Sequence, residues 1–266
     1  MAVSFFFVLG GFSMTLGYKD KVVKPDFSYK QYLTKRCIKF FPLHWLCILA
    51  IMPLALVSFE IQQLPIFFAN IALLQSWIPI QKVYFSFNWV SWYLADTIFF
   101  AVMFPLVFKY IVTKSTKGRT SIAVFLAVMY AVVAILLQAE YYHAVLYISP
   151  YMRLFDFIFG IYLALLFLKL KEQPAKWWYG NAIGQFSILI LILILVIESC
   201  LLPEDATWFS PVYWILVAIL ILIASLIGRN GGGHFVGEQI PTTPWRVEFC
   251  YIHNTPDNSA LYNPPI

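Results

Sequence analysis

The sequence predicts an all-α, polytopic transmembrane helix bundle with about seven to eight apolar helical segments. Three observations carry this. Of 266 residues, 61% are hydrophobic and 12% charged, where a soluble domain is about a quarter charged. Mean hydropathy is +0.78. Apolar runs of about 20 residues recur, the length a helix needs to cross the hydrocarbon core of a bilayer. The run QFSILILILILVIESC, within Ile183–Cys200, does not alternate polar and apolar positions, which argues against the tilted strands of a membrane barrel.

The first span reads Ala2–Tyr18, aromatic-rich and interrupted by Gly10 and Gly11. Paired small residues let helix backbones approach closely in lipid. A basic loop follows, carrying Lys19, Lys21, Lys24, Lys30, Lys35, Arg36 and Lys39. The second span reads Ile38–Phe59, with Pro42 expected in its first turn, where a missing N–H costs nothing. Leu64–Ile80 is apolar, but counting it as a crossing puts the segment KSTKGR on the wrong side. It is expected to be re-entrant or interfacial; the alternative is that it crosses and one basic loop breaks the rule. The remaining spans read Trp89–Tyr110, Ser121–Gln138, Leu154–Leu170, Ile183–Leu202 and Val212–Ile227.

Charge follows the span ends. Lys109, Lys114, Lys117 and Arg119 mark a second basic segment, Lys169, Lys171 and Lys176 a third, and Arg229 ends the last span. Between them lie Glu60, then Glu140 with His143, then Glu204 and Asp205. Positive loops stay cytoplasmic, so the net charge of +5 reads as topology and nucleic acid is not an expected partner. Cys37, Cys47, Cys200 and Cys250 form neither a CxxC pair nor a ligand spacing, so no metal and no resident cofactor is expected. Met1–Tyr18 lacks the basic n-region and cleavage site of a signal peptide. The membrane-embedded domain reads 1–229. From there the chain turns polar, proline-rich and aperiodic, so 230–266 is expected to be a disordered or out-of-frame tail.

Four motifs stand in order along the embedded part. They are SFFFVLGGF at Ser4–Phe12, YLTKRCIKFFP at Tyr32–Pro42, NWVSWYLAD at Asn88–Asp96 continuing through Phe99, Phe100 and Pro105, and SPYMRLFDFIFG at Ser149–Gly160. The series resembles the acyltransferase-3 family of integral-membrane O-acyltransferases, with Gly10 where that family usually has Ser. The resemblance implies transfer of an acetyl or other short acyl group from acyl-CoA to a sugar hydroxyl of a cell-surface or exported glycan. It implies a location in the bacterial inner membrane, with acyl-CoA, a glycan acceptor and the lipid bilayer as partners. It also implies that the chain opens at the family's second span, the catalytic histidine belonging to the preceding helix. Read one nucleotide later, the segment from Gly233 can yield GELSFAIYIIH, which resembles the family's last span. The chain alone is therefore expected to be an inactive fragment. The alternatives are a lipid-linked glycan transporter or flippase, or the remnant of a broken gene.

Lys35, Arg36 and Lys39 are the candidate donor-binding residues. At i, i+1 and i+4 near a helix start they offer cations to the phosphates of a nucleotide-bearing donor. Topology and attraction to anionic lipid are the competing explanation. Asp96 and Arg153 lie at membrane depth, where a charge is functional or paired; pairing with each other and lining a polar cavity are both open. Trp92, one turn before Asp96, shares its face and is a third cavity candidate, with anchoring at the interface the competing role. His44 is a candidate general base with no orienting acid near it in sequence. His143 is placed on the outer side, and His234 and His253 in the tail. One outcome follows from topology: a cysteine replacing Lys117 in a cysteine-free background should resist impermeant thiol reagents on intact cells and react once the membrane is opened. Labelling from outside would overturn the assignment and make Leu64–Ile80 a crossing.

Overall fold

Helix α1, Ala2–Val22, lies against α7, Pro150–Lys171, through the most extensive helix–helix interface of the molecule. Two glycines permit it. A Cβ at Gly11 would land on the Phe157 carbonyl, and one at Gly160 would land on the Val8 carbonyl. Each backbone thus occupies the space a side chain would take on the other, the close approach that small residues allow in membranes. The structure is a computed structural model and describes residues 2–56, 61–172, 181–201 and 211–230, all within one compact unit, Met1–Gly233. The expectations placed on 231–266, on Lys176 and on Glu204 and Asp205 fall outside the described residues.

All regular structure among the described residues is helical. Besides α1 and α7 there are α2 (Tyr29–Leu56), α3 (Leu64–Ile71), α4 (Gln81–Tyr84), α5 (Ser91–Val112), α6 (Thr116–Leu136), α8 (Asn181–Leu201) and α9 (Pro211–Asn230). Among the described residues, four helices are long and apolar enough to cross a membrane: α2, α5, α6 and α7. Shorter apolar stretches occur at Gln185–Ile194 and Tyr213–Ile227. The expected count of seven to eight is not reached by this measure.

Helix α2 corrects the reading of the basic loop. It begins at Tyr29, where the Ser28 hydroxyl accepts a hydrogen bond from the Gln31 N–H at 3.3 Å, the arrangement of an N-cap. The loop shrinks to the turn between Val22 and Tyr29. Pro42 is therefore inside the helix, together with Pro53, and not in its first turn. The apolar spans were marked by hydrophobicity alone, whereas both helices continue into charged sequence that water can solvate.

Pro105 sits inside α5. A proline removes the N–H that would bond the carbonyl four residues earlier, which here belongs to Ala101. The Tyr32 hydroxyl of α2 donates to that carbonyl at 2.9 Å, and the Tyr29 hydroxyl donates to the next one, Val102, at 2.8 Å. Both bonds fix α2 to α5. In lipid, side chains of neighbouring helices are what make an internal proline tolerable.

The segment expected to be re-entrant does not form one membrane-length helix. Helix α3 has eight residues, about 12 Å at 1.5 Å per residue. The chain then turns at Leu73, in the left-handed region with φ 57°, and passes through a short 3₁₀ turn at Gln75–Trp77 before α4.

Helices α1, α5 and α7 run in one direction. Their starts meet, with Ser4 bonded to Arg153 and Phe7 stacked on Tyr93 at 4.9 Å. Their ends meet, with Val23, Phe108, Val112 and Leu165 lining one cavity. One end of the bundle therefore carries the basic segments, and the other carries the 61–90 segment and the α6–α7 connection. The Tyr32 bond yields a specific outcome. Tyr32→Phe should cost about 1–3 kcal/mol, the desolvation of an unpaired buried carbonyl, read as a lower unfolding temperature in detergent. Pro105→Ala, which returns the missing N–H, should remove most of that cost; equal losses in both backgrounds would refute the repair.

Candidate functional site

Arg153 is the largest fully buried side chain, 1% exposed at the start of α7. Its Nη1 donates to Ser4 Oγ of α1 and to Asp156 Oδ2, each at 2.9 Å. Its Nε donates to the Tyr147 carbonyl at 2.7 Å, and the guanidinium lies 4.6 Å from the Tyr147 ring centroid. Asp156 Oδ1 in turn accepts from Trp214 Nε1 of α9 at 2.6 Å. One ion pair thus joins α1, α7, α9 and the π-helical segment His143–Ile148. Arg153 pairs with Asp156, three residues on and on the same face.

Asp96 stands beside this cluster. It is fully buried, and neither carboxylate oxygen has a hydrogen-bond partner among the described residues. Ser76 and Arg153 are the groups close enough to act on it. Ser76 Oγ, Gln75 Oε1 and Ser149 Oγ are likewise buried and unpartnered. Gln75 is held in place by donating to Ser91 Oγ at 3.0 Å. Native structures leave few buried polar atoms without partners. Here four side chains, from the 3₁₀ turn, α5 and the start of α7, are buried with an oxygen that has no partner among the described residues, and Asp96 lies within the field of Arg153.

Trp92 is buried, its ring 5.4 Å from that of Tyr147. His44 is 3% exposed and bonds through Nε2 to the Asn70 carbonyl at 2.8 Å. Trp45 donates to the next carbonyl, Ile71, at 3.1 Å. Since a carbonyl only accepts, His44 Nε2 carries the proton, and the ring closes the C-terminal end of α3. The neighbour of His143 is Tyr84, whose hydroxyl lies 3.1 Å from Nδ1. Burial, and then the positive charge of Arg153, hold His143 below its ordinary value, which favours the neutral ring.

At the basic end, Lys35 and Lys39 are exposed on α2. Arg36 packs its guanidinium over Tyr18 at 4.8 Å and Tyr32 at 5.6 Å, and its Nε has no hydrogen-bond partner among the described residues. The three cations share one helix, and none of them lines the cavity at this end of the bundle. That cavity, of about 550 Å³, is mostly apolar, with Lys19, Asp20 and Lys24 at its rim. Arg119 is spent on structure: it donates to the carbonyls of Ile111, Val112 and Lys114 and closes the end of α5. Among the described residues no group of three His, Cys, Asp or Glu side chains could hold a metal ion.

Sequence reasoning did not single out Asp156, Ser4, Gln75, Ser76 or Ser149. Asp156 could have been found, since an acid three residues from a membrane-depth arginine is its nearest partner. The others carry no charge, and only the fold gathers them.

A family model described as an acyltransferase domain matches residues 1–236. The chain belongs to the acyltransferase-3 family. No curated protein and no solved structure matches it. Family membership, with the apolar helices, makes this a membrane acyltransferase domain. In it the late motif SPYMRLFDFIFG has a clear structural content: Arg153 and Asp156 form the buried pair, and Gly160 the close crossing. Breaking such a pair by removing one partner costs about 3–5 kcal/mol, whereas replacing both by apolar groups can be near neutral. Asp156→Ala should therefore lower the unfolding temperature in detergent more than the double change Arg153→Met with Asp156→Leu. The reverse order would mean that the pair does not hold the bundle together.

Proposed function

We propose that this acyltransferase domain serves transfer of an acetyl or other short acyl group from acyl-CoA to a sugar hydroxyl of a cell-surface or exported glycan. The observation that carries the reading is the buried group around Asp96. Unfilled acceptor positions on Asp96, Ser76, Gln75 and Ser149 beside Arg153 suit a polar guest that donates hydrogen bonds, as a sugar hydroxyl does. The two ends of the bundle add direction. The basic end suits an anionic donor, with Lys35, Arg36 and Lys39 for phosphates and the apolar cavity bounded by Phe108, Val112 and Leu165 for the acyl and thiol arm. The opposite end carries few cations and many aromatic rings.

In this reading the basic end faces the cytoplasm, where acyl-CoA is found, in the bacterial inner membrane. Helices α1, α2 and α5 to α9 cross, and the 61–90 segment stays at the outer end. The reaction forms an ester bond from the acceptor oxygen to the acyl carbon and breaks the thioester. The hydroxyl proton passes to a base and on to the departing thiolate. The role of this chain's residues is to hold the two substrates at the two ends of one polar interior.

The test reads donor binding directly, using a thioether analogue of acetyl-CoA that cannot react, on the protein in lipid nanodiscs. Arg36→Ala should raise the analogue's Kd about tenfold or more, the loss of one charge-assisted bond. Acylation of surface glycan should disappear when the gene is deleted from its host. Unchanged Kd in a normally inserted variant would leave Arg36 a topological role only. Glycan export lost with no change in acylation would favour a carrier instead.

A further inference from the structure

The end of the bundle opposite the cations holds a second cavity, of about 530 Å³, within the span of small-molecule sites of about 300–1,000 Å³. Its wall includes Gln81, Tyr84, Phe85, Glu140, Tyr141 and His143. None of its lining residues is Lys or Arg. That composition selects among ligands. A phosphate or an anionic headgroup would find no cation and would meet the Glu140 carboxylate. An acyl chain would leave the amide, carboxylate and imidazole desolvated. A neutral ring that is apolar on its faces and hydroxylated at its edge satisfies both kinds of wall.

The site is built, not incidental. Tyr84 is 3% exposed and its hydroxyl meets His143 Nδ1 at 3.1 Å. The His143 ring stacks on Tyr147 at 5.4 Å, and Tyr147 carries the Arg153 guanidinium on its other contact, at 4.6 Å. Two rings therefore separate the cavity wall from the buried ion pair. Phe85 is backed by a stacked Trp89 that is itself 73% exposed. Glu140 and Tyr141 stand together, the carboxylate holding the Tyr141 phenol above its ordinary value.

We infer that this cavity is a carbohydrate subsite: it seats a neutral pyranose ring of the acceptor against Phe85 and Tyr141, with hydroxyls taken by Glu140, Gln81 and His143. The inference rests on the proposed transfer to a sugar and names where that sugar is held. A bound ring would lie on the outer side of His143 and Tyr147, the two rings that stand between the cavity and Arg153. The donor cations lie at the far end.

The experiment uses the protein in nanodiscs and saturation-transfer NMR. The probes are maltotetraose, cellotetraose and tetra-N-acetylchitotetraose, with sorbitol as an open-chain polyol and phosphocholine as a lipid headgroup. At least one oligosaccharide should bind through its ring C–H protons. Glu140→Gln and Tyr141→Ala, both at exposed positions, should each raise its apparent Kd about tenfold or more. Binding of the acetyl-CoA thioether analogue should stay unchanged. Absence of binding by all three oligosaccharides overturns the subsite, as does unaltered sugar binding in both variants, or phosphocholine competing as well as the sugars do. If sugar binds and the donor analogue does not, the acyl-transfer reading falls and the subsite stands. If the donor binds and the pocket variants leave sugar binding intact, only the subsite falls.

Discussion

A carbonyl in a hydrocarbon core has no water to turn to, and that constraint organises this molecule. At several interruptions of the helical ladder a side chain from a neighbouring element completes it. Tyr32 repairs the break that Pro105 makes in α5, and Tyr29 bonds the next carbonyl, that of Val102. His44 and Trp45 close the end of α3. Arg119 closes the end of α5, and Arg153 Nε takes the Tyr147 carbonyl near the end of the π-helical segment. An unsatisfied backbone group in lipid costs several kcal/mol, more than the packing of any single apolar side chain gains. These bonds therefore decide which helices are neighbours, and the apolar contacts fill in around them.

Arg153 extends the same logic from backbone to charge. A guanidinium at this depth is tolerable only if its donors are matched, and Ser4, Tyr147 and Asp156 match them. The matching needs α1 within reach of α7, which in turn needs Gly11 and Gly160 at the crossing. A larger residue at either glycine would push the helices apart and pull Ser4 from Arg153. The motif SPYMRLFDFIFG thus works as a unit: Arg153 and Asp156 make the pair, and Gly160 brings the third partner to it.

How much of this was legible follows from what sequence patterns record. The membrane class was legible because hydropathy is a sum over residues and needs no partner. That Leu64–Ile80 forms no single membrane-length helix agrees with the expectation drawn from charge alternation, which counts crossings. The true start of α2 was missed because Ser28 announces a helix in polar sequence, where a hydrophobic scan does not look. Trp92, Asp96 and Arg153 stand out in sequence as polar or bulky residues at depth, and all three are buried. Gln75, Ser76 and Ser149 do not stand out, since a serine or glutamine gives no sign in sequence of whether its oxygen is paired. The face of α2 that carries Lys35 and Lys39 was readable as basic, yet nothing in the spacing said that Arg36 alone would fold back onto Tyr18 and Tyr32.

The placement of the two cavities adds a last step. Both are open at their own end of the bundle, and neither shares a lining residue with the other. On the proposed reading, an acyl group entering at one end and a hydroxyl entering at the other would have to meet inside the bundle. Asp96, Ser76, Gln75 and Ser149, each with a buried oxygen that has no partner among the described residues, lie toward the end opposite the cations, near the starts of α5 and α7. A wholly apolar interior would pack better but would offer a polar group nothing on its way in. A fully satisfied one would have no position left to give. An ion pair that joins four elements and buried side chains that keep an oxygen without a partner among the described residues thus share the same few turns of helix. On the proposed reading, a transfer between the two faces would use that rigid frame and those polar groups together.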